Sequence, residues 1–135
     1  MSVPLLNCGT AAATIFVGNL VAKAYMSFGF RAPNIGASKQ KKLELENSTA
    51  FKEARAAQLN ETEWAATLFA ALLFLHSKGI DAPVASTLVA ATNVMYWVVR
   101  TFVPVSSFPV YAPFAVLRYV GSFMLVPALW GAVSA

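Results

Sequence analysis

Four long stretches of the chain are almost free of charged side chains. Residues 1–22 and 82–99 contain none, residues 110–135 contain only Arg118, and residues 56–76 are apolar after a polar first turn at 58–63. A helix needs about 20 mostly apolar residues to cross a bilayer. The sequence therefore predicts an all-α integral membrane four-helix bundle, a single domain of residues 1–135 with spans at about 3–27, 54–77, 82–103 and 110–133.

Composition supports this class and excludes others. Charged residues make up 12% of the chain and hydrophobic residues 58%, against about 25% and 45–50% in soluble domains. A single cysteine, Cys8, and a single histidine, His76, exclude an internal disulfide framework and a zinc site within one chain. No glycine-rich phosphate loop or nucleic-acid motif occurs, so neither a metal nor a nucleic-acid partner is predicted.

Basic residues predict the orientation of the chain. Six of them lie in residues 27–59, whereas the opposite side carries only Lys78. By the positive-inside rule, the basic loop at residues 28–53 faces the cytosol. We therefore predict a multi-pass protein of the endoplasmic reticulum or another intracellular membrane in a eukaryote, or of a bacterial inner membrane. The first span lacks a preceding basic region and is long, which favours a retained span over a cleaved signal peptide.

Turn residues predict how the spans are connected. Gly79 fits a helix C-cap and Asp81 fits an N-cap before Pro83, so the second and third spans should form a tight hairpin. Pro104 and Pro109 mark the turn before the fourth span. Residues 37–47 are interpreted as a solvated loop facing lipid headgroups.

Polar side chains recur at helical spacing in the cytosolic half of every span. Such groups usually face a bundle interior or a water-filled cleft. They predict a site for a small anionic or zwitterionic molecule, in which arginines bind carboxylates and Glu63 binds an ammonium group. The residues are Asn19, Lys23 and Ser27 on the first span, Arg55, Gln58, Asn60 and Glu63 on the second, Asn93, Tyr96 and Arg100 on the third, and Tyr111, Arg118 and Ser122 on the fourth.

Several of these residues also have a structural interpretation. Lys23 and Arg100 are long enough to snorkel to headgroups, and Asn93 and Tyr96 suit helix–helix packing. Glu63 requires a partner in an apolar span, and the helical phase directs Glu61 to a different face from Glu63.

Three segments resemble the MAPEG superfamily, the membrane-associated proteins in eicosanoid and glutathione metabolism. Residues 55–64, Arg-Ala-Ala-Gln-Leu-Asn-Glu-Thr-Glu-Trp, resemble its second-helix signature, in which a Glu follows an Asn by three residues. Residues 28–33 resemble the end of its first helix, and residues 117–121 the start of its fourth. The resemblance covers essentially the whole chain and is closest to microsomal glutathione transferases. It implies a homotrimer embedded in membrane lipid, with glutathione bound between subunits as a co-substrate.

The resemblance also implies residue roles. Arg118 would be the catalytic residue facing the thiol, while a lipophilic electrophile would enter from the bilayer. The glutathione-binding residues would be Arg55, Gln58, Asn60, Glu63, Lys23, Arg100, Tyr96 and Tyr111.

Two departures from the family pattern leave the activity open. Ala56 stands where the family usually has its arginine, with Arg55 one residue earlier, and Ser107 stands where family enzymes often have a tyrosine, with Phe108 and Tyr111 as imperfect substitutes. The leading interpretation is a detoxifying glutathione transferase with possible peroxidase activity. The alternative is a non-catalytic protein that binds or presents lipids or glutathione. A transporter is less favoured, because transporters usually place charge at mid-membrane.

Overall fold

The computed structural model describes residues 4–104 and 109–135, and these residues contain helices and turns but no strand. In chain order the helices are α1 (Cys8–Ala24), α2 (Lys39–Asn47), α3 (Thr49–Ser77), α4 (Pro83–Phe102) and α5 (Ala112–Ser134). A π-helical segment, Tyr25–Arg31, and a 3₁₀ turn, Ala32–Asn34, prolong α1. The predicted all-α class is confirmed for the described residues.

The predicted basic loop is largely helical, which corrects the interpretation of residues 28–53 as irregular. Ser38 caps α2 by accepting a hydrogen bond from the Lys41 N–H, and Ser48 caps α3 by accepting one from the Phe51 N–H, both over 3.3 Å. Lys, Leu and Glu, which are good helix formers, dominate the residues between these two caps. Helix α3 consequently begins at Thr49, before the predicted start of the second span at residue 54.

The hairpin between α3 and α4 has Gly79 after the end of α3, as predicted from the sequence. Gly79 has a φ of +67°, its N–H donates to the His76 carbonyl over 3.0 Å, and the Ile80 N–H donates to the Leu75 carbonyl over 3.0 Å. This pair of bonds is a Schellman motif, which requires a residue that tolerates a left-handed backbone.

Asp81 does not cap α4, and that prediction is wrong. The N-cap is Ala82, which makes no side-chain capping bond. Instead, Asp81 Oδ1 accepts hydrogen bonds from the N–H of Cys8, over 3.0 Å, and of Ala82, over 3.1 Å. The first turn of a helix has N–H groups without an intrahelical acceptor, and α1 supplies one of them to this carboxylate. In a second hydrogen bond between these parts of the chain, the Leu6 N–H donates to Thr87 Oγ1 over 2.7 Å.

Helix α4 lies at the centre of the packing. It contacts α1, α3 and α5, while α1 also packs along α3 and α5 packs mainly on α4. Gly121 makes the α4–α5 approach possible, because a Cβ there would lie 2.8 Å from Val89 Cγ1. The main apolar core joins these helices through Ile15, Leu68, Leu72, Leu75, Val89 and Leu125.

Among the described residues, two helical segments are long and apolar enough to cross a membrane. They are Cys8–Asn34, with a mean hydropathy of 1.3, and Ala112–Ser134, with 1.5. Large apolar side chains such as Phe123, Trp130 and Val133 are more than 70% exposed on α5, which suits a lipid-facing helix. The four-span prediction is thus met in part. Helices α3 and α4 are less apolar than these two segments, because they carry the polar residues described next.

Candidate functional site

The side chain of Arg118 is buried at the junction of α3, α4 and α5. It is 1% exposed, although it is the only charged residue of α5. Its Nη1 donates to Asn93 Oδ1 over 2.9 Å, and its Nη2 donates to Asn60 Oδ1 over 2.6 Å. The guanidinium carbon lies 4.5 Å from the ring centre of Trp64 and 4.7 Å from that of Tyr96. Two amides and two aromatic rings therefore fix the orientation of this cation.

Asn93 connects Arg118 to a buried carboxylate. Its Nδ2 donates to Glu61 Oε1 over 2.5 Å while its Oδ1 accepts from Arg118. Both Asn93 and Glu61 are 0% exposed. Because an isolated charge is costly in an apolar interior, this amide couples the two opposite charges at short range.

Arg100 forms an outer part of the same cluster. It donates from Nη1 to the Tyr96 hydroxyl over 2.5 Å and forms an ion pair with Glu53 at 3.3 Å. Its guanidinium carbon lies 4.8 Å from the ring centre of Tyr111, and the rings of Tyr96 and Tyr111 are 5.5 Å apart. Tyr96 therefore lies between the two guanidinium groups of Arg100 and Arg118.

Five of the nine residues to which the family resemblance gives a role meet in this cluster. They are Asn60, Tyr96, Arg100, Tyr111 and Arg118, and the contacts above place them within one chain. The role of each remains a prediction, because hydrogen bonds and packing do not identify a ligand.

The other four predicted residues lie apart from the cluster. Gln58 Nε2 donates within α3 to Thr62 Oγ1 over 3.0 Å. Arg55 is exposed and lines a pocket of about 420 Å³ together with Arg31 and Lys42. Lys23 and Glu63 are also exposed.

Sequence reasoning missed Glu61 as a member of the cluster. The signal was present in the spacing of α3, because its buried positions recur every three or four residues on a face of small and apolar side chains. That face contains Ala54, Ala57, Glu61, Ala65, Leu68, Leu72 and Leu75. The hydrogen-bond partner Asn93 lies on another helix, and a one-dimensional pattern does not reveal it.

The chemistry that this arrangement offers is anion binding. Within the described residues no group of three His, Cys, Asp or Glu side chains could hold a metal ion. Arg118 Nε has no hydrogen-bond partner among them either. The site therefore offers fixed positive charge and phenol hydroxyls in an apolar setting. Ser107, at the position of the family tyrosine, and Phe108, one of its two imperfect substitutes, lie outside the described residues.

Comparison with protein families matches most of this chain. The model of the MAPEG family covers residues 3–102, which is most of the chain and includes α1 to α4. A comparison with curated proteins gives no match, and neither does a comparison with solved structures.

Proposed function

Because this chain belongs to the MAPEG family, we propose that it is a membrane glutathione transferase, which conjugates the thiolate of glutathione to lipophilic electrophiles. The observation that carries this proposal is the burial of Arg118. Its guanidinium is held by two neutral amides, and the ion pair among the described residues joins Arg100 to Glu53 instead. Among the described residues no carboxylate contacts it directly, and its Nε has no hydrogen-bond partner, so an anion that binds beside it would meet a positive charge and a donor.

A buried guanidinium suits this chemistry for an electrostatic reason. A free thiol with a pKa of about 8.5 is mostly protonated at neutral pH, and a neighbouring cation favours the nucleophilic thiolate. A cation already fixed in an apolar site needs no reorganisation when the anion forms, so its effect is stronger than in water. Trp64 and Tyr96 supply that apolar setting.

Tyr96 is the second residue that we assign to the reaction. Its hydroxyl oxygen accepts a hydrogen bond from Arg100, which leaves the phenol proton free to donate to a sulfur anion. Tyr96 would in this way take the part of the family tyrosine whose place is occupied by Ser107 in this sequence.

We assign the peptide body of glutathione to the outward-facing residues of α3. Glu63 would bind its ammonium group, Gln58 its amide groups and Arg55 a carboxylate, with Lys23 assisting. Glu63 and Arg55 are both exposed in the single chain, and an exposed carboxylate on an apolar helix is costly in lipid. The exposure of these two charged side chains favours a homotrimer in which a neighbouring subunit covers this face of α3.

The test of the function combines thiolate absorbance with turnover. Arg118→Ala should lower the thiolate fraction of bound glutathione at neutral pH and reduce conjugation of a chlorinated nitroaromatic by about tenfold or more, with a smaller change in glutathione affinity. Lys41→Ala, on the exposed helix α2, is the matched control and should change neither quantity. Equal thiolate spectra and equal rates for wild type and Arg118→Ala would contradict the proposal.

One observation favours the alternative of a non-catalytic binding protein. Both terminal nitrogens of Arg118 are engaged by Asn60 and Asn93, as they would be in a purely structural role. This alternative predicts glutathione or lipid binding without turnover of nitroaromatic electrophiles or lipid hydroperoxides, so the same assay separates the two functions.

A further inference from the structure

An open groove of about 440 Å³ lies between α1 and α4, and Arg118 is not among its lining residues. Its walls are mostly apolar. Ala13, Val17 and Val21 of α1 form one side, and Val94 and Trp97 of α4 form the other. The volume suits a small lipophilic molecule rather than a peptide.

Glu61 lines this groove and brings a carboxylate to it. The side chain is 0% exposed, and Oε1 accepts from Asn93. Oε2 has no hydrogen-bond partner among residues 4–104 and 109–135. A buried acceptor left without a donor carries a desolvation cost, so a ligand that supplies a donor would recover that cost.

Gly18 lines the groove next to the Glu61 carboxylate. A Cβ at this position would lie 3.5 Å from Glu61 Oε1 and 3.6 Å from Val94 Cγ2, which are ordinary contacts. A larger side chain on α1 at residue 18 would therefore fit the backbone but occupy space beside Glu61.

The charge around Glu61 decides what kind of donor is preferred. Arg118 already lies one amide away, joined to Glu61 through Asn93. A ligand ammonium would place a second cation near this single carboxylate in an apolar region, at a high desolvation cost. A neutral hydroxyl group satisfies the free oxygen without adding charge.

We propose that this groove binds a lipophilic molecule bearing one hydroxyl group, whose O–H donates to Glu61. The ligand's apolar body lies along Val17, Val21 and Trp97. The site is separate from the glutathione site proposed above, and it does not depend on transferase activity.

Quenching of Trp fluorescence tests the groove, because Trp97 is part of its wall. The probes are para-bromophenylbutanol, the matched hydrocarbon para-bromobutylbenzene, and para-bromophenylbutylamine, compared at equal concentration in the bilayer of a nanodisc. We expect the alcohol to quench the protein more strongly than the hydrocarbon or the amine. Glu61→Met keeps about the length of the side chain but removes both carboxylate oxygens, so it should abolish the alcohol's excess.

Two further variants keep the test decisive. Gly18→Leu should remove the excess by filling the groove while leaving the Glu61 carboxylate in the chain, and Glu63→Gln, two residues away on the exposed face, should retain it. Equal quenching by alcohol and hydrocarbon in wild type, or an excess that survives both Glu61→Met and Gly18→Leu, would overturn the proposal. A stronger effect of the amine would overturn the assignment of a neutral donor.

Discussion

Asn93 donates a hydrogen bond from Nδ2 to Oε1 of Glu61 over 2.5 Å, and both side chains are fully buried. The same amide accepts from Arg118. A neutral side chain therefore stands between a buried acid and a buried base. This arrangement holds the guanidinium in place without the direct ion pair that would cancel its charge.

Replacing Asn93 should destabilise the protein. Asn93→Leu fills a similar volume but leaves Glu61 Oε1 and Arg118 Nη1 without this partner, at a cost of about 2–4 kcal/mol in the free energy of unfolding. Thr92→Val is the control, because the Thr92 hydroxyl bonds only to backbone carbonyls of its own helix. Unfolding in mixed micelles measures both variants, and equal stabilities would show that the Asn93 bridge contributes little.

Gly121 should be intolerant of even one methyl group. Gly121→Ala places a Cβ 2.8 Å from Val89 Cγ1 and should destabilise the α4–α5 packing by about 1–3 kcal/mol. Gly131→Ala, on the same helix with open space around it, should be neutral or slightly stabilising. Adding Val89→Ala to Gly121→Ala should restore part of the loss, and a double-mutant cycle without coupling would contradict the contact.

Glu63 should act on glutathione binding rather than on folding. If it pairs with the ammonium group, Glu63→Gln should weaken glutathione binding by about tenfold or more, while thermal stability stays near that of wild type because the residue is exposed. Isothermal titration measures the affinity. Glu44→Gln, on the exposed surface of α2, serves as the control, and a similar loss in both variants would remove Glu63 from the site.

Mixed trimers should reveal a site built from two chains. We expect Glu63→Gln and Arg118→Ala to be weakly active alone but to recover part of the conjugation rate when co-expressed. Recovery occurs because one interface of the mixed trimer then combines an intact Glu63 from one chain with an intact Arg118 from the next. Activity no higher than the mean of the single variants would place both residues in the same subunit's site.

The sequence predicted the helices better than the contacts between them. Stretches poor in charge located all four long helices, since apolar length is a local property. The polar stripe of the fourth span predicted that Arg118 faces a bundle interior or a cleft. The prediction that Asp81 caps α4 failed because its carboxylate accepts a hydrogen bond from the N–H of Cys8. Cys8 lies more than 70 residues earlier in the chain. Glu63 was predicted to belong to the site from its spacing to Asn60. The acid that is buried by the packing of α3 against α1 and α4 is instead Glu61.

The two hydrogen bonds at the start of α1 have a consequence for the order in which the fold forms during synthesis. The acceptors for the N–H groups of Leu6 and Cys8 are Thr87 and Asp81, and the ribosome delivers both long after α1 itself. During synthesis, the first turn of α1 therefore has to find temporary acceptors in water or lipid headgroups. Its two hydrogen bonds to the rest of the fold can form only after the α3–α4 hairpin has been made. The start of the first helix is therefore ordered by a part of the chain that is synthesised much later.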